Sequence, residues 1–121
     1  MPLLARIERA LTTHLESLDS PSAPPKLIKA IHHAVFPGGA RIRPQLCMAV
    51  AMACGDDAPE LTDAACAAIE LMHCASLVHD DMPCFDDASM RRGQLAVHKA
   101  YGEPLALLSG DALIVQAFLC L

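Results

Sequence analysis

Apolar residues in this chain recur at helical spacing, and that period restricts the fold more than any other feature. Leu4, Ile7, Leu11, Leu15 and Leu18 fall three or four apart, which predicts an amphipathic first helix ending near Asp19. No segment alternates apolar and polar residues over a useful strand length, and there is no internal repeat or low-complexity tract. The material for a core is also narrow. Of 121 residues 54% are hydrophobic, yet the chain has three Phe, one Tyr and no Trp. A core of Ala, Leu, Ile, Val and Met suits helices that approach closely on small side chains. The expected architecture is all-α, with residues 1–121 forming part of a single domain.

Proline and glycine divide the helices. Pro21, Pro24 and Pro25 mark a loop, and Pro25 can open a second helix through Ala34. The Pro-Gly-Gly at 37–39 ends that helix, and a third is expected from about Pro44 to Cys54, closed by Gly55. After the polar connection 55–60, Thr62 or Asp63 can cap a long helix reaching Asp81, because Pro83 cannot continue it. Further helices are expected near Leu95–Tyr101 and Pro104–Leu121. The last carries no capping or stop signal, so the chain reads as the front part of something longer.

Several function classes fit poorly. A net charge of −5 argues against a nucleic-acid partner, which calls for a basic face. The cysteines at 47, 54, 66, 74, 84 and 120 form no CxxC pair and no zinc spacing, and read as reduced, mostly buried thiols of a cytoplasmic protein. The N-terminus lacks the apolar stretch of a secretory signal. Leu105–Leu121 contains Asp111 and Gln116 and barely reaches spanning length, so a buried core helix is expected and not a membrane span.

Chemistry concentrates in Leu77–Gly93, where Asp80, Asp81, Asp86 and Asp87 precede Arg91 and Arg92. Two carboxylates about 4 Å apart repel by about 4 kcal/mol at an effective dielectric near 20, so an ordered acidic cluster calls for a cation. Mg²⁺ takes one or two carboxylates together with substrate phosphates, and arginines supply donors for those phosphates. His73 lies seven residues before Asp80, nearly two helical turns, so both project from one face. Asp81 points about 100° away, and Pro83 can bend the chain so that Asp86 returns to the helix end. In the segment GGARIRP, two glycines precede Arg41, Arg43 and Pro44, a second anion-attracting element. A solvated acidic loop, a core histidine and a structural Asp111 are the plainer alternatives.

GGARIRP and HDDMPCFDDASMRRG, joined by IELMHCASLVHDD and followed by GEPLALLSGDAL, together resemble the trans-isoprenyl diphosphate synthases over about Leu27 to Leu121. The DDMPCFD form is similar to the bacterial farnesyl and geranylgeranyl type. The resemblance implies the N-terminal half of an isoprenoid-synthase helical bundle, a homodimer, and Mg²⁺-assisted condensation of an allylic diphosphate with isopentenyl diphosphate. It implies Mg²⁺ ligation by Asp80 and Asp86 with Asp81 in support. It places Arg91 on the allylic diphosphate and Arg43, His73 and Arg92 on isopentenyl diphosphate. Ala75 and Ser76 stand where the family sets chain length, and two small residues there suggest geranylgeranyl diphosphate. The family's usual lysine after the glycines is replaced by Ala40, and its second Asp-rich motif has no counterpart after Gly93. Those two departures fit a competing expectation, a non-catalytic subunit that packs against a complete synthase. A helical protein whose acidic loop only binds divalent cations leaves GGARIRP unexplained.

Overall fold

The computed structural model describes residues 2–121, and among them six helices and one short hairpin form the fold. The helices are α1 (Leu3–Glu16), α2 (Pro25–Val35), α3 (Ile42–Ala53), α4 (Pro59–Asp80), α5 (Val97–Tyr101) and α6 (Glu103–Leu119). The expected all-α class is therefore observed. The exception is a two-strand hairpin, β1 (Met90–Arg91) with β2 (Gln94–Leu95), which carries no apolar alternation because each strand is only two residues long. Arg92 and Gly93 turn it with φ of +54° and +81°, the left-handed pair that matches the twist of a tight hairpin.

α4 is the central element, packed on by α1, α2, α3 and α6. One core joins Ile7, Leu11 and Leu15 of α1 to Ile31 and Val35 of α2, Met48 of α3, Leu71 and Cys74 of α4 and Leu113 of α6. Ala67 and Ala75 of α4 are fully buried within it, and at buried Gly110 of α6 the His79 ring of α4 occupies the space a Cβ would need. Small residues thus let α4 and α6 approach, as the aromatic-poor composition requires. A second cluster, Ala30, Val78, Met82, Val97 and Ala106, lies under the acidic loop and fixes its base.

Three boundaries differ from the sequence reading. α4 begins at Pro59, not at Thr62 or Asp63, since proline is favoured in the first turn and both candidate caps are used elsewhere. Thr62 Oγ1 donates to Asp56 Oδ1 at 2.8 Å, and Asp63 accepts from Arg6 Nε at 2.7 Å. α3 begins at Ile42, two residues before Pro44, a first-turn place where the missing N–H costs nothing. α1 stops at Glu16, though Leu18 still packs on the core. Among helices long and apolar enough to cross a membrane the described residues contain one, α4 itself, and 56% of its most apolar window is buried in the fold. Of the six free cysteines Cys66, Cys74 and Cys120 are buried, Cys47 is partly so, and Cys54 and Cys84 are exposed.

Candidate functional site

The acidic segment sits at the C-terminal end of α4, where the helix dipole is already negative and carboxylates are disfavoured. Asp80 is the last helical residue and is exposed; Asp81 follows as the cap and is buried. The loop then folds back as the Pro83 bend suggested. The Asp86 amide donates to the Asp80 carbonyl at 2.8 Å, and the Ala88 amide to the Asp81 carbonyl at 3.0 Å. These bonds satisfy carbonyls that the helix end leaves unpaired. Buried His98 pins the loop's far side, its Nε2–H donating to the Ala88 carbonyl at 2.8 Å. Asp86 is thereby brought back beside Asp80, and both carboxylates face solvent, as does Asp87.

Asp81 is differently employed. Arg91 grips it through two parallel bonds, Nη2 to Oδ1 at 2.6 Å and Nε to Oδ2 at 3.0 Å. This bidentate geometry is the strong form of the pair. The hydrogen bond to Asp81 holds the Arg91 pKa above its ordinary value against the opposing effect of burial, and Asp86 and Asp80 add to the attraction. Arg91 therefore answers the whole acidic group. The described residues contain no cluster of three His, Cys, Asp or Glu side chains able to cage a metal. Two exposed carboxylates at a negative helix end fit an ion that completes its shell with phosphate and water.

The diglycine turn stands opposite. Gly38 has φ of +76°, and the Arg41 guanidinium fills the space beside it that a Cβ would need. Arg41 is itself left-handed, with φ of +56°, and only 3% exposed. It donates to Glu8 Oε1 at 2.7 Å, to Glu70 Oε2 at 2.8 Å and to the Val35 carbonyl at 2.8 Å. Burial alone would lower its pKa; the Glu8 and Glu70 hydrogen bonds more than offset this and raise it. Arg41 is thus a structural clamp between α1, α2 and α4, with no donor turned toward a cleft.

Arg43 is free of carboxylates. Its Nη1 donates to His73 Nε2 at 3.3 Å, so that nitrogen carries no proton. Burial first, and then Arg43, hold the His73 pKa below its usual value, with Arg92 and Arg91 contributing in the same sense. The ion pairs of arginine in the described residues engage Arg6, Arg41 and Arg91; of the remaining three, Arg9 lies on α1 in a separate cleft with Glu60 and Asp63, and Arg43 and Arg92 are the two at this site. Arg92 lies against the second glycine of the turn, where a Cβ on Gly39 would sit 3.0 Å from its Nε. The hairpin and the diglycine turn therefore meet, as a two-sided anion cleft demands.

Arg43 and His73 share a cleft with Ile69, Met72 and Ser76. Ile69 and Met72 also line an apolar groove between α4 and α6, floored by Ala65, Ala68 and Ala117 and walled by Phe118 and Leu121. Ser76 is exposed, its hydroxyl donating to the His73 carbonyl at 2.7 Å, whereas Ala75 is sealed in the core. Asp111, exposed on α6, lies 3.6 Å from His79 Nε2. Sequence reasoning missed the structural work of Arg41, Glu70, His33 and Gln94. Nothing local in the sequence signals these roles, which depend on contacts between elements distant in the chain.

An all-α fold with a carboxylate pair at one helix end, arginines free of carboxylates beside a glycine turn and an adjoining apolar groove defines a class of helical proteins with a charged cleft beside an apolar one. The chain belongs to the polyprenyl synthetase family, whose model matches residues 24–121. It is 60% identical over 113 residues to a geranylgeranyl diphosphate synthase of Cereibacter sphaeroides, covering 93% of this chain and 39% of that protein. It is 42% identical over 112 residues to a farnesyl diphosphate synthase of Geobacillus stearothermophilus, covering 93% of this chain and 36% of that one. Among solved structures, a geranyltransferase from Legionella pneumophila superposes with a TM-score of 0.87 at 38% identity, covering 98% of this chain and 40% of that chain. The chain thus spans about 40% of the length of the first curated relatives it matches, 39% and 41%.

Proposed function

We propose that this chain carries the first substrate-binding half of a prenyltransferase that joins an allylic diphosphate to isopentenyl diphosphate and releases pyrophosphate. One observation carries the reading: the cleft holding Arg43 and His73 and an apolar groove lie side by side, with Ile69 and Met72 lining both. A ligand with a diphosphate head and a hydrocarbon tail matches both parts. Arg43, His73 and Arg92 bind the isopentenyl diphosphate head. Asp80 and Asp86 hold magnesium, with Asp81 in support through its grip on Arg91, the contact for the allylic diphosphate. Bound Mg²⁺ supplies the positive charge that offsets the departing pyrophosphate. The apolar groove keeps water from the reacting tail. Ser76, small and exposed in the Arg43–His73 cleft, leaves room for a tail longer than farnesyl, and geranylgeranyl diphosphate is the proposed product. By family resemblance the working protein is a cytoplasmic homodimer.

A second reading, a non-catalytic subunit that packs on a complete synthase, is favoured by Ala40. That position supplies no cation to the cleft, and its carbonyl is taken by Gln45 Nε2 at 2.6 Å. Radiolabelled isopentenyl diphosphate incubated with farnesyl diphosphate, Mg²⁺ and the full-length protein separates the two. The enzyme reading expects a labelled C20 product that Asp80→Ala reduces by about a thousandfold, in line with loss of an electrostatic stabiliser worth about 4 kcal/mol. Normal rates in that variant remove the metal role. No product without an added synthase establishes the subunit.

A further inference from the structure

The last turn of α2 and the two residues after it present carbonyls without partners inside the helix, and both arms of the cleft reach for them. From one side Arg41 Nη2 donates to the Val35 carbonyl at 2.8 Å and the Pro37 carbonyl at 3.4 Å. From the other, Gln94 Nε2 donates to the His33 carbonyl at 2.9 Å and the Phe36 carbonyl at 3.5 Å. His33 answers through its own ring, Nε2–H donating to the Leu95 carbonyl at 2.7 Å. Gln94 is the ladder partner of Arg91, and Arg92 is in the turn between them. What fixes Gln94 therefore fixes the hairpin, and Arg92 has no carboxylate of its own among the described residues to hold it.

We propose that Gln94, answered by His33, is a positioning residue for the diphosphate cleft. It ties the Arg91–Arg92 hairpin to the end of α2, the same brace to which Arg41 ties the diglycine turn. The shared anchor sets the gap between Arg92 on one arm and the Arg43–His73 pair on the other. The proposal rests on the reading of that gap as the isopentenyl diphosphate site. Arg41 acts on the opposite arm, but its removal would strand Glu8 and the buried Glu70, so it makes a poor probe.

The test is steady-state kinetics on the full-length protein. Gln94→Met keeps the side chain's length and removes its donor. Loss of a hydrogen bond that only aims Arg92 should raise KM for isopentenyl diphosphate about three- to tenfold, with kcat changed less than about twofold. Gln94→Lys, which restores a donor, should return KM to or below the parent value. In an Arg92→Met background Gln94→Met should add nothing, because the group it aims is gone. An equal rise in both backgrounds overturns the positioning role, as does an unchanged KM in Gln94→Met when Arg92→Met alone raises it. If Arg92→Met itself leaves KM unchanged, the underlying diphosphate reading fails and takes this proposal with it.

Discussion

Gly38 and Gly39 are neighbours with separate duties. At Gly38 a positive φ and the buried Arg41 guanidinium both exclude a Cβ. Gly38→Ala should combine about 1–2 kcal/mol of left-handed backbone cost with about 1–3 kcal/mol of overpacking, so urea unfolding should show a loss near 3 kcal/mol. Gly39 has no positive φ, and its neighbour is the half-exposed Arg92. Gly39→Ala should leave the urea midpoint nearly unchanged while raising KM for isopentenyl diphosphate about threefold to tenfold, since only a charge-assisted contact is displaced. His73 adds a pH dependence of definite sign. The free site depresses its pKa through burial and Arg43, whereas a bound diphosphate favours the imidazolium, so binding takes up a proton. Relative to His73→Gln, the parent protein should bind isopentenyl diphosphate increasingly well as pH falls from about 8 to about 6. Comparing the two KM profiles cancels the substrate's own titration. A constant ratio would detach His73 from the diphosphate.

At the scale of elements, α4 carries both the core and the chemistry, and the two faces separate at adjacent residues. Ala75 is fully buried while Ser76 borders the cleft. Ser76→Phe should therefore shorten the product toward C15 without a loss of stability, read by chromatography of the labelled alcohols together with the melting temperature. Ala75→Phe should cost at least about 1–3 kcal/mol through overpacking, so any product change there arrives with a destabilised fold. Most elements were legible in the sequence because a 3.6-residue apolar period and proline or glycine breaks leave few alternatives for α1, α2, α3 and α6. The hairpin was not, because two-residue strands are too short for any period. α4 starts earlier than the sequence suggests because Thr62 and Asp63, good caps in isolation, are drawn into a network with Asp56 of the preceding loop and Arg6 of distant α1. At the site, the return of Asp86 to the helix end was legible from Pro83 alone. The burial of Arg41 between Glu8 and Glu70 was not, since it depends on where α1 and α4 meet.

For the molecule as a whole, the informative surface is apolar. α6 carries apolar side chains on most of its circumference, interrupted by exposed Asp111, a pattern closer to a buried helix than to a surface one, yet Leu107, Leu108, Val115, Phe118 and Leu119 are each about half exposed or more. α3 repeats this on another side with Ile42, Leu46 and Val50. Residues that remain exposed on such faces cost about 25 cal/mol for each Å² of apolar surface left in water, and patches of this kind mark surfaces that other protein covers. Residues 1–121 prepared alone should therefore bind the dye ANS strongly and sediment as a concentration-dependent mixture. The full-length protein should bind little dye and sediment as one species of twice its chain mass, the proposed homodimer. Replacing Phe118 and Leu119 by Ser in the short piece should lower dye binding if α6 is the exposed face. Equal dye binding by the short and full-length proteins would mean that the α3 and α6 faces stay open, and would remove the argument for a covering partner.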